Sequence, residues 1–240
     1  MSEARFSEID FGAVRAVAFD CFDTLLQITD KQHPYKALFS LITRKGRPIS
    51  HEEQRAVMRK NVGLSATPGL FGVDVSAAEL EPIEEQLLRE LLSVEPFPDV
   101  GVCLGLIQFS GYKIAICSNL AKPYAIPAKA LLLNANAHVW SFETGHLKPE
   151  PEIFQSVCTA LDCLPSEILM IGDSLKYDVE GARAFGFQAL WLDRLGKSPE
   201  AIHDLYRLTQ LLPRIASSEN RQENEARGFF DPDQLRESDE

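Results

Sequence analysis

Residues 16–26 read Ala16-Val17-Ala18-Phe19-Asp20-Cys21-Phe22-Asp23-Thr24-Leu25-Leu26. The apolar run that begins at Val14 ends abruptly at Asp20. A continuous apolar run is typical of a central parallel strand that is buried on both faces. Open α/β sheets bind their ligands at the carboxyl ends of such strands. Asp20 is therefore a candidate functional residue, although an ordinary polar turn after a strand has the same pattern.

Length, charge and cysteine content limit the classes of protein to which the chain can belong. The 240 residues suit one large domain, or a core with a smaller inserted domain. The net charge of −11 argues against a nucleic-acid-binding surface. No apolar run is long enough to cross a bilayer, and residues 1–10 lack the apolar core of a signal peptide. We therefore expect a cytoplasmic protein with a small, anionic substrate and with no nucleic-acid or membrane partner; the oligomeric state stays open.

The five cysteines form no Cys-x-x-Cys pair, which fits reduced thiols in a cytoplasmic protein. Cys21 lies beside Asp20. A neighbouring carboxylate and a buried turn disfavour a thiolate, so Cys21 is interpreted as a packing residue.

The segment between the first strand and Pro96 is predicted to contain helices and no strand. Apolar residues recur at helical spacing over residues 35–42, a second helix is predicted at 51–62, and a third begins at the capping-box pattern of Ser76 and Glu79. This pattern predicts an all-helical insert, residues 29–96.

From residue 97 onward, predicted strands alternate with predicted helices. The strands are expected at residues 112–117, 138–140, 168–171 and 188–192, the helices at 100–109, 123–133, 152–161, 178–185 and 199–215, and a loop at 142–148. Such alternation is typical of an α/β protein with a parallel, doubly wound sheet, here formed by residues 1–28 and 97–216. Residues 217–240 carry eight acidic and three basic side chains, and they are interpreted as an acidic, disordered tail.

Polar residues follow three of the predicted strands, and a lysine lies on a loop between two of these strand ends. Asp20, Ser118 and Asp173 should converge, because the carboxyl ends of parallel strands share one edge of a sheet. Two carboxylates from different strands can share Mg²⁺, with backbone and water oxygens completing its octahedron. Ser118 can donate a hydrogen bond to a phosphoryl oxygen, and Lys148 can stabilise the developing charge.

These residue types together predict phosphoryl transfer. A carboxylate held near a metal and a lysine can attack phosphorus and form an aspartyl phosphate. Thr24 can donate to the same phosphate oxygens. Asp178 is expected near the start of a helix, where it can reach the metal directly, act through water, or hold Asp173 in place. Each of these residues alone commonly belongs to a turn, a cap or a solvated loop, but their combination in this order favours a site.

Four segments resemble the sequence motifs of the haloacid dehalogenase superfamily of hydrolases, namely residues 19–25, 116–119, 145–154 and 171–182. The resemblance implies a Rossmann-like core with a small all-helical cap domain inserted after the first motif, in agreement with the insert predicted at 29–96. It also implies that Asp20 is the nucleophile and Lys148 a second catalytic residue. The implied Mg²⁺ ligands are Asp20, Asp173 and the backbone carbonyl of Phe22, the implied substrate-binding residues are Thr24, Ser118 and Asn119, and Asp178 has a supporting role.

The sequence departs from the phosphatases of this superfamily at position 22. Those enzymes usually carry a second aspartate there, two residues after the nucleophile, as the general acid and base. Phe22 can neither give nor take a proton. Asp23 occupies the place usually held by glycine, and it is not expected to substitute simply. Loss of the proton transfer would lower the rate by roughly 10²–10⁴-fold.

Three functions are compatible with this sequence. The first is a Mg²⁺-dependent phosphatase that acts on a small metabolite, which Asp173 and Asp178 favour. The second is a hydrolase of 2-haloacids, in which Asp20 attacks carbon; Phe22 favours it, because a halide leaves without a proton. The third is a binding protein that has kept the fold without catalysis. The 2-haloacid function would need an arginine to hold the substrate carboxylate, and the candidates in the insert are Arg44, Arg47, Arg55 and Arg59.

Overall fold

A five-stranded parallel sheet forms the centre of the fold. The computed structural model describes residues 9–215. In chain order the strands are β1 (Ala16–Phe19), β2 (Leu26–Ile28), β3 (Val94–Pro96), β4 (Lys113–Ser118), β5 (Ala137–Trp140), β6 (Ile168–Gly172) and β7 (Gln188–Trp191). The main sheet has the order β5-β4-β1-β6-β7, and every pair in it is parallel. The predicted α/β, doubly wound parallel sheet is therefore confirmed.

Helices connect the strands and cover both faces of the sheet. They are α1 (Pro34–Arg44), α2 (His51–Ala56), α3 (Ala77–Leu92), α4 (Val100–Phe109), α5 (Ala125–Leu131), α6 (Ser141–Thr144), α7 (Pro151–Leu161), α8 (Gly181–Phe185) and α9 (Tyr206–Leu211). No helix in the described range 9–215 has both the length and the apolar character needed to cross a membrane.

Strand β1 lies at the centre of the sheet because its side chains are apolar on both faces. Val17 and Phe19 pack with α4 and α9, whereas Ala16 and Ala18 pack with α7 and α8. All four residues are fully buried. Burying a side chain of the size of valine or phenylalanine stabilises the fold by about 1.5–3 kcal/mol. The centre of the sheet is therefore a rigid support for the residue that follows it, Asp20.

Helices α1 and α3 of the insert share a hydrophobic cluster that is distinct from the two clusters on the sheet. Leu38, Ile42 and Ile83 belong to this cluster. Helix α2 begins with a capping box, since the Ser50 hydroxyl accepts from the Glu53 N–H and the Glu53 carboxylate accepts from the Ser50 N–H. Local signals thus determine where this insert helix begins.

Two short strands, β2 and β3, lie where the sequence predicted none. Strand β3 falls inside the segment predicted to be all-helical, and it pairs with β2 in antiparallel fashion, Leu26 opposite Pro96 and Ile28 opposite Val94. The two chain segments that enter and leave the insert run side by side here. With three residues each, they are too short to show an alternating pattern.

The last predicted helix, residues 199–215, is wrong over most of its length. Within this range, only Tyr206–Leu211 is α-helical. The backbone of Ile202 instead joins the end of β7, with its N–H donating to the Trp191 carbonyl at 2.9 Å. The N–H of Leu205 donates to the buried carboxylate of Asp99 at 2.8 Å. These long-range partners replace the intrahelical hydrogen bonds.

Smaller differences affect three other segments. The helix predicted at 51–62 is α-helical only to Ala56 and continues as a 3₁₀ turn, Val57–Arg59. The loop predicted at 142–148 begins with α6. The helix predicted at 178–185 begins earlier, as a π-helical turn, Leu175–Glu180. The acidic segment predicted at 217–240 lies outside the described residues.

Candidate active site

The ends of β1, β4 and β6 bring together the three polar residues predicted from the sequence. Phe19 pairs with Ile116 of β4 and with Ile171 of β6. Asp20 is therefore level with Cys117 and Gly172, near the ends of both neighbours, and its N–H donates to the Ile171 carbonyl at 2.8 Å. Ser118 and Asp173 follow one position further along their strands. The central three strands thus present these side chains at one edge of the sheet.

Lys148 is the most highly connected side chain of the site. It is 2% exposed, and its Nζ donates to Asp20 Oδ1 at 2.6 Å, to Asp178 Oδ1 at 2.6 Å and to the Cys117 carbonyl at 2.8 Å. An ammonium group has three donors, so all of its hydrogen-bonding capacity is used. Burial opposes its charge, but Asp178 and Asp20 outweigh that effect and raise the pKa of Lys148. Lys148 is therefore a fixed positive charge beside Asp20.

Asn119 positions the backbone of Lys148. Its side-chain nitrogen donates to the Lys148 carbonyl at 3.0 Å, and its side-chain oxygen accepts from the Lys148 N–H at 2.7 Å. Both polar groups of the amide are therefore engaged within the protein. The predicted role of Asn119 in substrate binding stays a prediction; in the structure its amide holds the loop that carries Lys148.

Asp178 reaches the site because Gly172 leaves room for it. A Cβ atom at position 172 would lie 2.3 Å from Asp178 Cγ, which no side chain can tolerate. Asp178 is buried, and its second oxygen, Oδ2, accepts from the Ser174 N–H at 3.0 Å. Its carboxylate is thus held between Lys148 and the turn that follows β6.

Three carboxylates form a candidate metal centre. One oxygen each from Asp20, Asp173 and Asp178 lies within 4.8 Å of the others. Carboxylate oxygens are the ligands that Mg²⁺ prefers. When all groups are ionised, three carboxylates and the Lys148 ammonium leave two negative charges uncompensated, and this matches a divalent cation. The donor set therefore fits Mg²⁺.

Two carboxylates of this cluster, those of Asp20 and Asp173, have raised pKa values. Burial raises the pKa of Asp20 to about 7, and Lys148 opposes this shift. Burial and the charge of Asp178 raise the pKa of Asp173 to about 6. A bound cation would favour the ionised forms.

Two hydroxyl groups lie among the predicted substrate-binding residues. Thr24 is fully buried, and its hydroxyl donates to Asp173 Oδ1 at 3.5 Å. Ser118 is 3% exposed at the carboxyl end of β4. Cys21 is buried, and burial together with Asp20 raises the pKa of its thiol, in agreement with the interpretation of Cys21 as a packing residue.

Asp23 takes a conformation that glycine adopts without strain. Its φ is 59°, in the left-handed region. Its side chain is 61% exposed and lies 3.7 Å from Lys31. The backbone thus explains why a glycine is usual at this position, and the exposed carboxylate lies outside the buried cluster around Lys148.

An apolar cavity of about 370 Å³ lies between the insert and the sheet. On the sheet side it is lined by Phe22, Asn119 and Tyr124, and the Phe22 and Tyr124 rings meet edge to face with centroids 5.8 Å apart. Phe22 and Asn119 follow the strand ends that carry Asp20 and Ser118. The cavity therefore lies beside the strand ends that carry the polar residues.

Among the four arginines considered for substrate binding, only Arg55 lines this cavity. Arg47 forms an ion pair with Glu53 at 2.5 Å, and Arg59 forms a bidentate ion pair with Glu150. Arg44 is exposed at the end of α1. The sequence alone did not choose among them.

Glu90 and Tyr124 link the insert to the core, and the sequence reasoning missed both. Glu90 is 3% exposed. Its Oε1 accepts from the N–H groups of Gln32 and His33, at 2.8 and 2.7 Å. Its Oε2 accepts from the Tyr124 hydroxyl at 2.5 Å. A signal was available, since Glu90 follows Leu87 on the apolar stripe of α3. A charged residue on a buried stripe requires polar partners.

Comparison with known proteins identifies relatives of two kinds. A family model described as haloacid dehalogenase-like hydrolase matches residues 14–186. The (S)-2-haloacid dehalogenase 1 of Pseudomonas sp. (strain CBS-3) is 28% identical over 225 residues, which cover 84% of this chain and 98% of that protein. The phosphoserine phosphatase of Thermus thermophilus is 30% identical over 154 residues, which cover 61% of this chain and 60% of that protein.

Solved structures agree with the fold. The crystal structure of an HAD phosphatase from Thermococcus onnurineus matches with a TM-score of 0.60 and 27% identity, and the match covers 84% of this chain and 100% of that chain. An HAD hydrolase from Bacillus subtilis, solved with bound magnesium, matches with a TM-score of 0.56 and 18% identity, over 83% of this chain and 98% of that chain.

Proposed function

The chain belongs to the haloacid dehalogenase-like hydrolases, and from this premise we propose that it is a Mg²⁺-dependent phosphatase acting on a small phosphate monoester. The observation that supports the proposal is the cluster of Asp20, Asp173 and Asp178, whose oxygens lie within 4.8 Å of one another around a buried lysine. Attack on carbon requires no cation, so it gives no reason for three carboxylates to lie this close together. Attack on phosphorus next to a cation explains it.

Asp20 is the proposed nucleophile. Its Oδ1 accepts from Lys148, which fixes the carboxylate and leaves Oδ2 to attack phosphorus. The bond to phosphorus forms as the ester P–O bond breaks, and the alcohol oxygen leaves with the electron pair. Water then attacks the phosphorus of the aspartyl phosphate, releases inorganic phosphate and restores Asp20.

The remaining residues bind and orient the phosphoryl group. Lys148 supplies a fixed positive charge, and the hydroxyls of Thr24 and Ser118 can donate to the phosphoryl oxygens. Asp20, Asp173 and Asp178 would hold Mg²⁺, which when bound neutralises the phosphate and polarises it.

The test is release of inorganic phosphate from a panel of phosphate monoesters, with Mg²⁺ or with EDTA. Asp20→Asn should lower kcat by roughly 10³-fold or more, because it removes the nucleophile and keeps the shape of the side chain. Asp74→Asn, at an exposed aspartate of the insert, is the matched control and should retain full activity. Phosphate release that is unchanged in EDTA, or full activity of Asp20→Asn, would contradict the proposal.

A second candidate function is hydrolysis of the carbon–halogen bond in a 2-haloacid. The observation in its favour is the cavity that Phe22 lines together with Arg55, which offers an apolar wall and one cation for a carboxylate. Halide release from 2-haloacids that persists in EDTA, and that is lost in Arg55→Gln, would favour this function over the phosphatase.

A further inference from the structure

The cavity beside Phe22 has mostly apolar walls. Tyr35, Phe39 and Met58 line it on the insert side, and Phe22 and Leu120 line it on the sheet side. His51, Gln54 and Arg55 add polar groups on the insert side, but the larger part of the wall is apolar and offers a polar body few hydrogen-bonding partners. An apolar body would gain free energy by leaving water.

The volume of the cavity fits a ring-sized group. In protein cores, an apolar cavity of about 150 Å³ binds benzene. The cavity here has about 370 Å³, enough for a substituted aromatic ring. Phe22 and Asn119, which line the cavity, lie within two residues of Asp20 and Ser118, so an occupant would lie close to the proposed phosphoryl site.

The chemistry of position 22 restricts the leaving group independently of the cavity. Phe22 has no proton to donate, so an alcohol must leave as its anion or take a proton from water. A phenol has a pKa of about 10, whereas that of water, which aliphatic alcohols resemble, is about 15.7. A phenolate is therefore by far the better leaving group where a general acid is missing.

We propose that the substrate is an aryl phosphate, whose apolar ring occupies the cavity between the insert and the sheet. This inference rests on the proposed phosphatase function. In the step concerned, Asp20 forms the bond to phosphorus, the aryl–oxygen–phosphorus ester breaks at its P–O bond, and the phenolate leaves with the electron pair and takes a proton from water.

The first experiment measures binding without turnover. Phenylphosphonate and methylphosphonate are titrated into the full chain by calorimetry, with Mg²⁺ and with EDTA, because neither compound carries the ester bond that is cleaved. Phenylphosphonate should bind at least tenfold more tightly than methylphosphonate in Mg²⁺. Equal affinities would overturn the proposal.

Two variants test whether the cavity holds the ring. Met58→Gln makes one wall polar, and Ala121→Leu fills part of the space without adding polarity. Each should reduce the preference for phenylphosphonate at least fivefold and leave methylphosphonate binding unchanged. Met58→Leu is the matched control and should retain the preference, and thermal unfolding checks that each variant is folded. If both Met58→Gln and Ala121→Leu fold and keep the full preference, the ring does not lie in this cavity.

The second experiment separates the acidity of the leaving group from its apolar character. Phenyl phosphate and 2-phenylethyl phosphate both carry an aromatic ring, but only the first releases a phenol. We expect kcat/KM to be at least 100-fold higher for phenyl phosphate, and equal values would overturn the assignment of the leaving group. If phenylphosphonate binds selectively while no ester releases phosphate, the phosphatase function fails and the cavity remains the site of an apolar body.

Discussion

At the scale of single residues, the site depends on a balance of buried charges. Asp20, Asp178 and Lys148 are all nearly inaccessible to water. Removing one partner of a buried ion pair is strongly destabilising, because the other charge loses its compensation. Burial raises the pKa values of Asp20 and Asp173, and Lys148 opposes both shifts. The next two predictions follow from this balance.

Affinity for Mg²⁺ should increase with pH. A ligating carboxylate must be ionised, and the pKa values of Asp173 and Asp20 are raised to about 6 and about 7. Both groups are largely protonated at pH 5.5 and ionised at pH 8, so the cation competes with protons at the lower pH. We expect affinity at pH 8 to be at least about tenfold higher, measured by calorimetry. Binding near pH 6.5 should release protons, seen as heats that depend on the buffer, and an affinity independent of pH would contradict the assignment.

Gly172→Ala should impair the site without a change in any charged residue. The new Cβ would lie 2.3 Å from Asp178 Cγ, so Asp178 would have to move away from Lys148. A misplacement of about 1 Å in a catalytic site can lower kcat by roughly 10²-fold. Gly105→Ala in α4 is the control, since nothing lies within 4 Å of its added Cβ, and it should retain full activity. Unchanged kcat in Gly172→Ala would show that Asp178 does not need this position.

At the scale of secondary-structure elements, α3 connects the insert to the sheet domain. Glu90 accepts hydrogen bonds from the chain segment that enters the insert, through Gln32 and His33, and from Tyr124 on the core. Tyr124 in turn contacts the Phe22 ring. One buried carboxylate therefore fixes the position of α3 relative to the wall of the cavity.

Glu90→Ala should lower the free energy of unfolding by roughly 3 kcal/mol, because two backbone N–H groups and one hydroxyl would lose their acceptor. Urea unfolding measures this change. Glu85→Ala is the matched control, since Glu85 is exposed on the same helix and the substitution should change stability by no more than about 0.5 kcal/mol. A loss in Glu90→Ala no larger than in the control would mean that these groups find other partners.

At the scale of the whole molecule, the hydrophobic residues form separate clusters. Two clusters lie on the faces of the sheet, and the third lies within the insert. Polar contacts join the insert to the core, among them the Arg59–Glu150 ion pair and the hydrogen bond from the Ser141 hydroxyl to the Met58 carbonyl at 2.7 Å. Partly exposed ion pairs contribute about 1 kcal/mol or less. We propose that residues 29–96 form a cap domain, which can open independently of the sheet once the Glu90–Tyr124 hydrogen bond and the Tyr35–Tyr124 ring contact break, because it has its own hydrophobic cluster.

Hydrogen exchange tests this independence. Leu38→Ala removes a fully buried side chain from the insert cluster, and such a change costs about 2–5 kcal/mol. Exchange should become faster in α1 and α3 and stay unchanged in β4 and β6, as measured by mass spectrometry of peptides. Val17→Ala in β1 is the counterpart and should accelerate exchange across the sheet. Equal acceleration throughout in Leu38→Ala would show that insert and sheet open as one unit.

Local pattern was sufficient to predict the sheet and the residues at its edge. Apolar runs predicted the strands, and Asp20, Ser118 and Asp173 directly follow three of these runs. Because the carboxyl ends of parallel strands share one edge of a sheet, the three residues could be predicted to lie close together. The pattern failed for β3 and for residues 199–205, where the backbone partners are distant in sequence. Hydrogen bonds such as that from Leu205 to Asp99 leave no local periodicity.

The sequence by itself determined the α/β sheet and most helices of the insert, because short-range periodicity predicts strands and helices. It also identified the polar residues that directly follow the strands. Only the tertiary structure decided how they act together. Lys148 and Asp20 are 128 residues apart and meet at 2.6 Å, Asn119 proved to hold the Lys148 loop, and Arg55 was singled out among four arginines by the cavity it lines. Such contacts depend on how segments that are distant in sequence pack together. The whole chain determines that packing, so no short stretch of sequence can reveal it.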